Sequence, residues 1–143
     1  MNFQGLKRFT EFVFFRKGLK DLEEKLVELR GTISSIDPTD KHRILLELDV
    51  ASYIRECTCG KEICNSVACA ISEFNIWYEK IRLGNKHLRR IGIVRCMKIV
   101  GWIGTQSIHV DLRRIRQLTS WLQEELKTPI ALTRDAPQWF VNG

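Results

Sequence analysis

The 143 residues suit one domain with one core, because domains cluster at roughly 100–150 residues. A chain that is 44% hydrophobic and 28% charged, with nine Gly and three Pro, falls outside the disordered and low-complexity classes. The net charge of +6, from 23 basic and 17 acidic residues, points towards acidic partners and leaves nucleic acid, an anionic membrane and an acidic peptide open.

The first amphipathic pattern begins at Leu19, where Leu22, Leu26 and Leu29 recur at helical spacing between Lys20, Asp21, Glu23, Glu24, Lys25 and Glu28. Gly31 is its expected stop. The stretch before it, with Phe9, Phe12, Val13, Phe14 and Phe15, reads either as the same helix entered through Gly18 or as a separate turn packed on the core. A linker follows from Ser34 to Asp40, in which Thr39 or Asp40 is placed to cap a helix from about Lys41 to Glu56. That helix carries Ile44, Leu45, Leu48, Ala51 and Ile54 on a broad apolar side, and a break at Thr58 to Gly60 ends it.

Asn65 or Ser66 then caps a helix whose stripe is Val67, Ile71, Phe74, Tyr78 and Ile81, ending at Gly84-Asn85. The segment from Lys86 to Thr105 is apolar on nearly every side, the pattern of a helix in the centre of a bundle. Its longest apolar run, Ile91 to Ile103, is interrupted by Arg95 and Lys98 and is shorter than the ~18 residues a membrane span requires. From Ser107 to Lys127 the pattern is amphipathic again, with Val110, Ile115, Leu118, Leu122 and Leu126 inward and Arg113, Arg114, Arg116, Glu124 and Glu125 outward. Pro129 and Pro137 bracket short final turns carrying Trp139 and Phe140, and no alternating strand pattern occurs. The expected class is all-α.

No arrangement of residues suggests catalysis. The cysteines Cys57, Cys59, Cys64 and Cys69 follow C-x-C-x4-C-x4-C, unlike the paired C-x2-C knuckles of structural zinc sites. His42, His87 and His109 lie on separate elements, and no phosphate-binding Gly loop or nucleophile elbow is present. The expectation is therefore no enzyme, no metal and no cofactor. An odd cysteine total without a signal-peptide pattern points to free thiols in a reducing cytosol. Lys86, Arg89, Arg90, Arg95 and Lys98, with Arg113, Arg114 and Arg116, make a basic helical nucleic-acid-binding module the alternative reading. Most of these cations sit on or beside a helix that must be largely buried, which weighs against it. A scaffolding bundle without a peptide groove is the other alternative, favoured if the apolar groove residues are fully buried without a ligand.

Glu79-Lys80-Ile81-Arg82-Leu83-Gly84-Asn85-Lys86-His87-Leu88-Arg89-Arg90-Ile91 runs from the third helical element into the central helix. It resembles the E-L-F-R-D-G-V-N-W-G-R-I stretch of the Bcl-2 family of apoptosis regulators, with Phe74 on a family Phe, Ile81 on a Leu and Arg90 on the arginine. Trp121 to Pro129 looks like the end of the sixth family helix, and Phe140-Val141 falls on the second homology motif. Leu88-Arg89 stands where the family has Trp-Gly, Asp135-Ala136 where it has Gly-Gly and Pro137 where it has Trp; no BH3 pattern is found in Lys41 to Glu56.

The resemblance, to a divergent viral pro-survival member, implies a single Bcl-2-like domain over 1–143 without a carboxy-terminal membrane anchor. Amphipathic helices would surround a central hydrophobic helix. It further implies an inhibitor of apoptosis that sequesters BH3 helices of pro-apoptotic proteins, either BH3-only proteins such as Bim or Bax and Bak. The groove would lie between the family's second, fourth and fifth helices. Ile44, Leu48, Phe74, Trp77, Ile81, Gly92, Ile93 and Met97 would line it, and Arg90 would meet the ligand's Asp. The implied place of action is the host cytoplasm, with at most peripheral attachment at mitochondria and no nucleic acid; a homodimer is left open.

Overall fold

A computed structural model of the chain describes residues 3–48, 66–106 and 110–132, with side chains for 16–48, 66–106 and 112–127. It is an all-α bundle whose described residues form five helices and no strand.

Helix α1, Phe3–Ser34, is a single element that includes the Phe-rich stretch and passes through Gly18. Its inner face is Leu19, Leu22, Leu26, Leu29 and Ile33, all buried, so the three-four period runs one turn beyond Gly31. That glycine is not a stop: the apolar face continues past it, and nothing lies within 4 Å of where its Cβ would be. Ser34 closes the helix by donating its hydroxyl to the Arg30 carbonyl at 3.0 Å.

Helix α2, Pro38–Glu47, starts earlier than the linker chemistry suggests. Pro38 holds the first helical position, where its fixed φ fits and its missing N–H costs nothing. The cap therefore moves back to Asp37, whose carboxylate accepts from the Thr39 N–H at 2.8 Å. The helix gives way at Leu48, and Ala51, Ile54, the Thr58 to Gly60 break, Cys57, Cys59 and Cys64 lie outside the described residues.

Helix α3, Val67–Leu83, is capped by Ser66, which accepts from the Cys69 N–H at 3.3 Å. It ends where the Gly84 N–H reaches the Lys80 carbonyl at 2.8 Å. Asn85 caps α4, Lys86–Gly104, through the Leu88 N–H at 3.0 Å. Gly92, Ile93, Val94, Cys96, Met97, Ile99, Val100 and Ile103 of α4 are all buried. This helix packs most extensively on α3 and also meets α2 and α5, helix α5 being Val110–Leu132. The α3–α4 approach depends on Gly92, where a Cβ would stand 2.5 Å from Ile81 Cγ1 and 3.1 Å from the Trp77 carbonyl oxygen. A side chain there would push the two helices apart.

Helix α5 turns Leu112, Ile115, Leu122 and Leu126 inward, with Leu118 and Trp121 partly buried against the core. It continues through Pro129, which lacks the N–H that would bond back to the Glu125 carbonyl. Pro129 is thus not the boundary its residue type suggested. Pro137, Trp139 and Phe140 lie outside the described residues, as does the side chain of Val110. Helix α1 packs on α5 and α3. Polar ties frame that contact: the Arg30 guanidinium lies 3.4 Å from the Trp121 ring centroid, Arg114 pairs with Glu23 at 2.6 Å, and Lys25 donates to Asn75 at 2.5 Å. The Tyr78 hydroxyl donates to Glu28, and burial, ahead of that carboxylate, raises its pKa well above the ordinary phenol value. No described helix is long and apolar enough to cross a membrane.

Candidate functional site

Helices α2, α3 and α4 bring the groove residues expected from the sequence into one region, but mostly as interior packing. Ile44, Phe74, Ile81, Ile93 and Met97 are only 0–4% exposed, and Gly92 is buried between α3 and α4. Leu48 and Trp77 are partly buried against the same core. Trp77 reaches the surface between two cations, with Lys80 Nζ 4.1 Å and Arg95 Cζ 5.8 Å from its ring centroid.

The open part of this region is a cleft of about 380 Å³ where the α1–α2 turn, α2 and the first turns of α4 meet. Three of the nine expected residues line it: Ile44 and Ile93 on the apolar side with Ile36, and Arg90 on the polar side. Asp37, Asp40, Gly84, Lys86 and Arg89 complete the wall. In the sequence Asp37 stands out only as a linker residue and Asp40 only as a candidate cap. Lys86 and Arg89 were legible only as members of a basic run.

The charges of the cleft have a common cause. Helix α4 has no acidic residue in its first turn, and Lys86, Arg89 and Arg90 stand at the end of the helix that already carries partial positive charge. Anions are drawn there, and α2 supplies two. Asp40 Oδ2 lies 3.1 Å from Lys86 Nζ, and Glu47 accepts from Arg90. The Arg90 side chain is 25% exposed, so this second pair is partly withdrawn from water. The Thr39 N–H holds the Asp37 carboxyl below its ordinary value, with a smaller contribution from the charge of Lys86. Arg90 was expected to meet a ligand's Asp; in the free chain its carboxylate comes from α2.

A second, larger concavity of about 790 Å³ lies between α1 and α5, lined by Arg16, Lys17, Lys20, Glu23, Glu24, Val27 and Arg114. Among the described residues, Val27 is the one apolar residue of its lining. The basic run of the sequence is divided between the start of α4, where Lys86 and Arg90 are ion-paired, and the exposed side of α5 with Arg113, Arg114 and Arg116. Among the described residues, no group of three or more His, Cys, Asp or Glu is placed to hold a metal ion. Cys69 is partly buried, whereas Cys96 is fully enclosed, its thiol 3.8 Å from the Phe74 carbonyl and its pKa pushed up by burial. In comparisons with known proteins, no family model matches the chain, and no curated protein or solved structure matches it.

Proposed function

We propose that the chain binds an amphipathic helix of another protein, in the manner of a pro-survival Bcl-2 protein that sequesters BH3 helices. The observation that carries this reading is the cleft between α2 and α4, where Ile36, Ile44 and Ile93 lie beside the cations at the start of α4. An apolar surface edged by positive charge suits a ligand helix with an apolar stripe and an acidic residue at its border. The resemblance around Arg82 to Ile91 supports the same assignment, since that segment forms the α3–α4 corner and one wall of the cleft. On this reading the chain acts in the host cytoplasm, with any mitochondrial attachment peripheral.

Calorimetric titration with a panel of BH3 peptides is the test. Saturable binding with Kd at about 1 μM or below, equivalent to roughly −8 kcal/mol, is the expected result. Absence of binding across the panel would sink the proposal. It would leave the reading favoured by the burial of Phe74, Ile81, Ile93 and Met97: a helical bundle that serves as a scaffold and opens no groove. A parallel titration with duplex DNA tests the nucleic-acid alternative, whose binding would fall steeply with added salt because the release of phosphate counterions becomes less favourable.

A further inference from the structure

The polar wall of the cleft contains three cations, and α2 treats them differently. Lys86 is engaged by Asp40 at 3.1 Å and Arg90 by Glu47, whereas Arg89, exposed between them in sequence, makes no ion pair among the described residues. A ligand carboxylate approaching Arg90 meets a guanidinium whose Nη1 is already held by the tethered Glu47, so it must exchange with that carboxylate or share the cation against like-charge repulsion. Arg89 imposes no such exchange. Its own pairing has little value while it faces water. A ligand helix lying over the cleft would exclude that water and turn the contact into a charge-assisted, directional one.

We infer that Arg89 is the residue that receives the acidic side chain of the peptide, and that Arg90 is an internal tie fastening α2 to α4. This rests on the helix-binding reading. It assigns the ligand's carboxylate to the position next to the one the Bcl-2 resemblance implies. It also sets specificity: the ligand must place its acid within reach of the exposed Arg89 and not of the Arg90–Glu47 pair.

The test uses the full chain, a synthetic Bim BH3 peptide and the same peptide with its aspartate replaced by alanine. Arg89→Ala should weaken binding of the first peptide about ten-fold, the scale of one charge-assisted pair, and erase the difference between the two peptides. Arg90 is tested by a charge swap, Arg90→Glu with Glu47→Arg, which keeps the tie and the net charge. The swapped protein should melt near the wild-type temperature and bind the aspartate peptide within about three-fold of wild type, since the tie survives in reverse. Unchanged affinity in Arg89→Ala, or loss of binding in the folded swap while the wild type binds, overturns the assignment and leaves the helix-binding reading standing. Failure of the wild type to bind removes both together.

Discussion

Met97→Asp unfolds the protein instead of simply releasing a ligand. Met97 lies on the central helix with no exposed surface, among the residues that pack α4 against its neighbours. An aspartate there would need either a buried, unpartnered charge or a proton taken up against its normal pKa, and either route costs several kcal/mol. Total domain stability is about 5–15 kcal/mol, so the folded population should fall sharply and the thermal transition should drop or vanish. Circular dichroism melts decide the matter. A variant that keeps the wild-type melting temperature would place Met97 in a solvent-open groove, as the family resemblance implies, and would undo the closed packing described above.

Phe74→Ala should be the most damaging simple truncation. Phe74 is the largest fully buried side chain among the described residues and stacks on Tyr78 with ring centroids 6.1 Å apart, while its carbonyl lies beside the Cys96 thiol. Removing a buried ring costs about 3–5 kcal/mol through lost transfer energy and the cavity left behind. For a chain of this size that is roughly a 10–15 °C fall in Tm. Phe74→Leu keeps most of the volume and should cost about a third as much. A fall of only 1–2 °C for the alanine variant would show that Phe74 is not a core residue.

Helix α3 shows what was legible in the sequence. The Ser66 cap, the stripe from Val67 to Ile81 and the stop at Gly84 are all local signals, and each agrees with the structure. The failures share a cause. Residue type alone points to stops at Gly31 and Pro129, but α1 continues because Ile33 still reaches the core, and α5 runs on through its proline. Asp37 replaced Thr39 and Asp40 as the cap because the proline after it occupies the first helical position.

The site was legible only by halves. Periodicity identified the apolar faces of α2, α3 and α4, but whether facing residues enclose a groove or close on one another depends on distances between helices. Gly92, by letting α3 and α4 approach, closes that space. The partner of Arg90 lies 43 residues away on α2, and no local pattern in the sequence connects it with Glu47.

The attachment of α2 has a consequence for the order in which the fold comes apart. Among its ten residues only Lys41 and Ile44 are buried, and the pairs of Asp40 and Glu47 are partly exposed. Burying one isoleucine contributes about 1.5–3 kcal/mol, and each partly exposed pair on the order of 1 kcal/mol. Helix α2 packs on α5 as well as on α4, yet with so few buried side chains its release should cost less than separating α1, α3, α4 and α5, whose facing side chains form the rest of the core. Among the described helices, α2 is then expected to open first and the other four to open last. Amide hydrogens of α2 should exchange with deuterium ahead of those of α4, through excursions in which the rest of the bundle stays intact; equal rates in the two helices would show a single cooperative unit.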